Sequence, residues 1–248
     1  MTFGTPHRHF RVVDSTNTAA RELAAAHAPG GTVVTATGQD AGRGRQGRSW
    51  HAVPGKSLIY SAILRPLESH HSLLPLAAPL AVCDAAESLA PVACQVKWPN
   101  DVWIDGRKAA GILIEARPQD GWAVIGVGLN VSLMPDDFPE DLRETSASIG
   151  MEVTLRDALG ALNRELFRWV DAPQEDVLSE FRRRDGLRGR EIEWADGSGT
   201  AAGIADDGNL LVRTESGEVS LGAGEVHLRV RPRLTRDSPP ANVREDPL

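Results

Sequence analysis

The chain has 248 residues, and its 27 Lys+Arg against 34 Asp+Glu give a formal charge of −7, which argues against a general nucleic-acid coat protein. Hydrophobic content of 41% and charged content of 25% exclude wholesale disorder, and the length is ample for one large core with a small companion. There is no uninterrupted apolar run of about 18 residues, no signal-peptide core at the start, and too few cysteines (Cys83 and Cys94) for a disulfide framework or a four-ligand zinc site, so the chain reads as a soluble cytoplasmic enzyme or binding module.

Asp14-Ser15-Thr16-Asn17 supplies cap-type oxygens ahead of an Ala- and Leu-rich stretch that Pro29-Gly30-Gly31 ends, which predicts a helix over 19–27. The β-branched segment 32–37 predicts a strand, a polar Gly/Arg-rich loop follows over 38–49, and 57–64 predicts a second strand. A long buried helix is expected over 73–90 despite Pro75 and Pro79. Segment 95–98 reads as a short strand that Pro99 stops, and strands at 102–104 and 109–115 flank Asp105-Gly106, a strong hairpin dipeptide. A further strand is expected over 122–131, and helical periodicity returns over 155–170 and 177–184.

After Gly186 the texture changes to five short strand segments, 191–194, 200–204, 210–213, 219–221 and 225–230, separated by Gly- or Asp-containing turns. That spacing predicts a small β-barrel or sandwich that leans on the larger region. The division is therefore 1–186 for a larger α+β domain, 187–230 for a small β domain, and 231–248 for a disordered tail holding four prolines and little apolar matter.

Residues 42–49 read Gly-Arg-Gly-Arg-Gln-Gly-Arg-Ser. Gly42, Gly44 and Gly47 satisfy a dinucleotide fingerprint, and the window nearly satisfies a P-loop, but both motifs need a helix opening directly on the loop. The following Trp50-His51-Ala52-Val53-Pro54-Gly55 cannot open one, so both readings are rejected. A plain solvated basic loop is the ordinary alternative, yet the rest of the chain is acidic and no aromatic-basic platform accompanies it. Three guanidiniums, Arg43, Arg45 and Arg48, repel one another unless an anion such as phosphate relieves them.

Lys97-Trp98-Pro99-Asn100-Asp101 ends a predicted strand, where ligand-binding residues of mixed sheets often lie. A capped turn with a snorkelling lysine would explain that segment alone. Lys108-Ala109-Ala110-Gly111 and Gly126-Val127-Gly128-Leu129-Asn130 add glycines inside strands, which cost stability unless something approaches closely. Together the three segments favour a ligand site. His7, His9, His70 and His71 show no zinc spacing, and Cys83 and Cys94 read as buried thiols.

The ordered set Ser15-Thr16-Asn17, Gln39 with Gly42-Arg43-Gly44-Arg45-Gln46-Gly47-Arg48, Lys97-Trp98-Pro99-Asn100-Asp101, Lys108-x-x-Gly111-Ile-Leu-Ile-Glu115 and Gly126-Val-Gly-Leu-Asn130 resembles the bacterial biotin–protein ligases, and residues 203–229 resemble their SH3-like terminal domain. The resemblance implies a class II aminoacyl-tRNA-synthetase-like catalytic domain over 1–186 and a two-step reaction with ATP, biotin and Mg²⁺. Biotin is activated to biotinyl-5′-AMP and then transferred to a lysine of a biotin carboxyl carrier protein.

By the family's pattern Lys97, Arg45 and Arg43 are catalytic. Ser15, Thr16, Asn17, Gln39, Gly42, Arg43, Gly44, Arg45 and Lys97 bind biotin. Arg45, Arg48, Trp50, Asn100, Asp101, Lys108 and Asn130 meet the nucleotide, and Asp101 holds Mg²⁺. Ser15 and Thr16 also read as helix caps, and Trp50 as core. Some relatives carry an N-terminal helix-turn-helix; only 14 residues precede Ser15, so no operator DNA binding is expected. Gln46 stands where some relatives have arginine. An exposed sheet edge offers a homodimer contact. A lipoate–protein ligase is the nearest enzyme alternative, and a nucleic-acid-binding protein using the arginine loop is the alternative of another class.

Overall fold

The computed structural model describes residues 2–222 and 226–228. Strands β1 (His7–Val13), β2 (Val33–Gln39), β3 (Ser57–Leu64), β4 (Cys94–Lys97), β5 (Asp101–Ile104), β6 (Arg107–Arg117) and β7 (Trp122–Asn130) form one sheet in the order β1-β2-β3-β7-β6-β5-β4. β1 and β2 are parallel and the other pairs antiparallel, so the sheet is mixed. At the expected hairpin, Asp105 and Gly106 both have positive φ, 52° and 73°, as a tight two-residue turn between twisted strands requires.

Alternation along the strands gives the sheet two apolar faces. Helix α1 (Thr16–Ala25) covers one of them, packing Ala19, Ala20 and Ala24 on Val34, Ile63 and Val124. Helices α2 (Leu74–Leu89), α3 (Leu155–Val170) and α4 (Gln174–Arg184) build the larger core, which includes Tyr60, Ala62 and Leu64. The apolar stretch Ser69–Leu89 is long and apolar enough by composition to cross a membrane, but 67% of its apolar window is buried inside this core.

Strands β8 (Glu191–Trp194), β9 (Gly197–Ile204), β10 (Leu210–Thr214), β11 (Gly217–Leu221) and β12 (His227–Leu228) form a second, antiparallel sheet in the order β11-β10-β9-β8-β12, consistent with an SH3-like fold. Its Ile192, Ala201, Leu210 and Val212 join the same apolar core as the main sheet. Trp98 Nε1 donates to the Gly208 carbonyl at 3.1 Å, a direct tie between the two sheets' regions. The predicted tail, 231–248, lies outside the described residues.

Strand β1 has no counterpart in the sequence reading. His-Arg-His-Phe-Arg-Val-Val is almost wholly exposed, so burial imposes no period-two pattern for the sequence to show. Its place comes from backbone pairing with β2 and from His7 Nε2 and His9 Nδ1, at 2.8 and 2.9 Å from Thr35 Oγ1. This edge strand sets Val13 opposite Gln39 and leads straight into Ser15.

Away from the strands, Arg184 is 5% exposed and bonds Asp84 at 2.7 Å, Glu87 at 2.7 Å and Glu180 at 2.6 Å, joining α4 to α2. The Arg183 hydrogen bond, opposed by burial and reinforced by Arg184, holds the Glu180 carboxyl down from 4.5 to about 2. A depressed carboxyl contributes stability above its unfolded value and loses it as pH falls through the folded one. Thermal stability should therefore fall as pH drops from 4.5 to about 2, and Glu180→Gln should flatten that part of the profile. An unchanged profile in the variant would remove the assignment. Cys83 and Cys94 are buried free thiols, and burial, ahead of the Cys94 neighbour, pushes Cys83 well above the usual thiol range.

Candidate active site

The register of the main sheet lays out the site in two rows. Ser61, Gly126 and Leu113 sit opposite one another on β3, β7 and β6, and the next row on the same face is Ile59, Gly128 and Gly111. Helix α1 occupies the same face, so its first turn looks along these rows.

Asn17 lies across the first row. Its Nδ2 donates to the Leu113 carbonyl at 3.2 Å and to Glu115 Oε2 at 3.0 Å, and its Oδ1 lies 2.6 Å from Ser61 Oγ. A Cβ at position 126 would stand 2.8 Å from Asn17 Cγ, so glycine is what admits this side chain. Gln39 Oε1 accepts from the Thr16 amide at 2.7 Å and lies 3.2 Å from its hydroxyl. Ser15, Thr16 and Asn17 are all 5% exposed or less. Ser15 begins α1, but its side chain makes no capping bond, so its expected capping role is not seen. These neutral groups line one end of a cavity.

Trp50 lies on the second row, where a Cβ at 128 would be 2.6 Å from its Nε1 and one at 111 would be 3.1 Å from its ring. The room expected for a ligand at Gly111, Gly126 and Gly128 is thus filled by this protein's own Trp50 and Asn17. Trp50 Nε1 is buried without a hydrogen-bond partner, and Lys108 Nζ stands 5.6 Å from the ring centroid.

The other end of the cavity is cationic. Among the described residues Arg43, Arg45, Arg48, Lys97 and Lys108 line it against a single carboxylate, Asp101, in a protein whose net charge is −7. Opposed charge on the whole and on the site means the cations are concentrated here for an anion. Lys97 pairs with Asp101 across the β4–β5 hairpin, and Asn100 is pinned to β6 by backbone and side-chain bonds to Ile112. Arg45 donates to Asn100 Oδ1 at 3.1 Å, which ties the arginine loop to this tip.

The loop itself is a small hairpin. Arg43 bridges Ser49, the Gly44 amide donates to the Arg48 carbonyl at 2.6 Å, and the Trp50 amide donates to the Gly42 carbonyl at 3.2 Å. A single 3₁₀ turn, Arg45–Gly47, caps it, and β3 rather than a helix follows. The missing helix agrees with rejecting the dinucleotide and P-loop readings.

Of the expected site residues, Ser15, Thr16, Asn17, Gln39, Arg43, Gly44, Arg45, Arg48, Trp50, Lys97, Asn100, Asp101 and Lys108 come together around this cavity. Gly42 sits just behind it, leaving room for Gln39 Nε2, 2.9 Å from where a Cβ would be. Asn130 is placed apart from these. It is 4% exposed, does not line the cavity, and gives its amide to the Ala147 and Lys108 carbonyls at 3.0 and 3.4 Å. Residue type and motif position cannot distinguish a ligand contact from such a backbone tie.

The donor set does not fit a divalent cation held by the protein. Among the described residues Asp101 is the cavity's one carboxylate, and its Oδ1 already meets Lys108 Nζ at 2.7 Å. A hard cation wants several oxygens and no ammonium at that distance. Among the described residues His70, His71 and Asp171 also cluster. His71 Nδ1 accepts from the Glu68 amide at 2.9 Å, so the neutral ring carries its proton on Nε2 toward Asp171, a hydrogen bond and not a free ligand lone pair.

Sequence reasoning missed Ser61, fully buried and bonded to Asn17 and Thr16; the signal was a lone polar residue inside an apolar strand. It also missed Val226 of the C-terminal region, which lines the cavity.

Residues 9–132 match the Biotin/lipoate A/B protein ligase family, and residues 189–229 match the Biotin protein ligase C terminal domain. The chain is 34% identical over 236 residues to the Bifunctional ligase/repressor BirA of Bacillus subtilis, covering 88% of this chain and 72% of that one. It is 33% identical over 248 residues to the Biotin--[acetyl-CoA-carboxylase] ligase of Mycobacterium tuberculosis, covering 91% of each. The structure of a biotin protein ligase from Aquifex aeolicus in complex with biotin and ATP is similar at a TM-score of 0.73 and 26% identity, over 90% of this chain and 98% of that one. With half its length in the catalytic family, a matching terminal domain and relatives this close over most of both chains, the chain belongs to the biotin/lipoate A/B protein ligase family, in the branch of the biotin protein ligases.

Proposed function

We propose that the protein activates biotin with ATP to biotinyl-5′-AMP and pyrophosphate, then transfers biotin to a lysine of a biotin carboxyl carrier protein. The observation that carries this reading is the two-ended cavity. Neutral hydrogen-bonding groups at one end suit an uncharged cyclic urea, and five cations at the other suit a carboxylate beside a triphosphate. Lipoate offers an apolar dithiolane in place of the urea, and would leave the Gln39 amide nitrogen and the spare Thr16 lone pairs at this end unpaired.

In the first step a carboxylate oxygen of biotin attacks the α-phosphorus, and the bond to pyrophosphate breaks. Two anions must meet, so fixed positive charge lowers the barrier. Lys97 stands nearest the role of carboxylate partner, with Arg43 and Arg45 closing over the acyl-phosphate. Arg48, Trp50, Asn100, Asp101 and Lys108 form the nucleotide side. In the second step the lysine amine attacks the acyl carbon, an amide forms, and AMP leaves; the amine's proton goes to solvent or base. No step is drawn through a protein-bound metal.

The partner is a carrier-protein lysine in the cytoplasm, and the exposed edge strand β1 offers a homodimer contact. The domain division at 187 follows the change from helix α4 to strand β8.

The test is ATP–pyrophosphate exchange without carrier, comparing biotin, lipoate and octanoate. Exchange with biotin alone is expected; exchange with lipoate instead would overturn the reading. Arg45→Ala should release preformed biotinyl-adenylate about tenfold faster, the size of one lost charge-assisted contact. An unchanged release rate would remove Arg45 from that role.

A further inference from the structure

We propose that the ion pair between Arg21 and Glu115 is a positioning element that sets the hydrogen-bond polarity of the neutral end of the cavity, and so its preference for a urea carbonyl over an imine. This rests on the biotin reading above. Neither residue lines the cavity, and neither was given a role by its sequence position.

Proton counting along the contacts leads to this inference. Arg21 donates to Glu115 Oε1 at 2.9 Å, which anchors the carboxylate from the α1 side. Glu115 Oε2 can only accept, so Asn17 must turn its Nδ2 toward it, at 3.0 Å. The second N–H of that amide goes to the Leu113 carbonyl at 3.2 Å, and both donors are then used. Asn17 Oδ1 therefore faces Ser61, and accepts the Ser61 proton at 2.6 Å.

Ser61 has no second proton. Its 2.8 Å contact with Thr16 Oγ1 is then made by the Thr16 proton, for which Gln39 Oε1 at 3.2 Å is the other acceptor within reach. Thr16 then keeps lone pairs and no proton for the cavity. Gln39 Oε1 faces the Thr16 amide at 2.7 Å, which leaves Gln39 Nε2 as a donor. The cavity end thus presents an acceptor on Thr16 and a donor on Gln39. That pattern is complementary to a ring N–H and a C=O.

Without the charge on Glu115 only the Leu113 carbonyl still favours this direction. In Glu115→Gln the new amide can place its oxygen on Arg21 and its nitrogen on Asn17. Asn17 would then flip, give up the Leu113 bond, and reverse every proton along the row. A site built to pair one polarity rejects the opposite one strongly, because mismatched buried groups are left unpaired.

The experiment is steady-state ATP–pyrophosphate exchange with biotin and with 2-iminobiotin, in which an imine replaces the urea oxygen. Wild-type protein should prefer biotin. Glu115→Gln should raise KM for biotin about tenfold with kcat within about threefold, and narrow the preference for biotin over 2-iminobiotin by about tenfold. Glu115→Asp and Arg21→Lys, which keep the charges, should retain the preference. Glu115→Met, which removes the acceptor altogether, supplies the same comparison should Glu115→Gln fail to fold, while Arg21→Met, which leaves Glu115 able only to accept, should retain the preference. Unaltered KM and preference in the folded Glu115→Gln or Glu115→Met variant, or a loss confined to kcat, would overturn the proposal. Wild-type protein inactive with biotin would instead sink the functional reading on which it rests.

Discussion

Lys97→Ala is expected to lower biotin-dependent ATP–pyrophosphate exchange by at least a hundredfold while leaving the melting temperature nearly unchanged. Lys97 ends β4, pairs in register with Asp101, and lines the cationic end of the cavity, with its ammonium 5.8 Å from the Trp103 ring centroid. A unit charge about 4 Å from a substrate anion contributes roughly 4 kcal/mol at an effective dielectric of 20, close to a thousandfold in rate. The four other cations of the cavity will compensate in part, which sets the lower figure. The side chain is only half-buried, so its loss opens no large core void. Near-normal exchange in the variant would refute the role.

Gly126→Ala carries the second large effect. The added methyl would lie 2.8 Å from Asn17 Cγ in the middle of the central strand β7, where the backbone is held on both sides by β3 and β6. The strand cannot move, so the carboxamide must. Displacing it breaks its bonds to Ser61, Leu113 and Glu115 together, each worth about 1 kcal/mol net. KM for biotin should rise by roughly a hundredfold, with a smaller change in KM for ATP, because Trp50 and the arginine loop lie on the next row. Equal effects on both substrates would show that position 126 supports the sheet and not the neutral end of the cavity.

Both predictions use residues whose importance could be read from the chain, for reasons that differ. Lys97 and the arginines of 43–48 were legible as charge that needs an anion, in a chain otherwise acidic. Gly126 and Gly128 were legible as glycines out of place in a strand. What they make room for was not: the close approach is by Asn17 and Trp50, which are 109 and 78 residues distant in sequence from their glycines. Motif position was silent for a related reason on how the Asn130 amide is used, which ties the Lys108 and Ala147 carbonyls.

Local order was determined by the sequence itself. Periodicity, turn dipeptides and caps act over a few residues, so the helix at Leu155–Val170, the strands at Ser57–Leu64 and Glu191–Trp194, and the Asp105-Gly106 hairpin follow from the chain alone. The chemistry of the site followed as well, because charge and residue type need no coordinates. Only the tertiary structure decided β1, whose exposed residues carry no burial pattern and whose pairing with β2 is a backbone matter. It also decided the row from Arg21 through Glu115, Asn17 and Ser61 to Thr16, which is assembled from α1, β6 and β3 by sheet register. Proton direction along such a row depends on which neighbour each group meets, and that is a property of packing, not of any stretch of sequence.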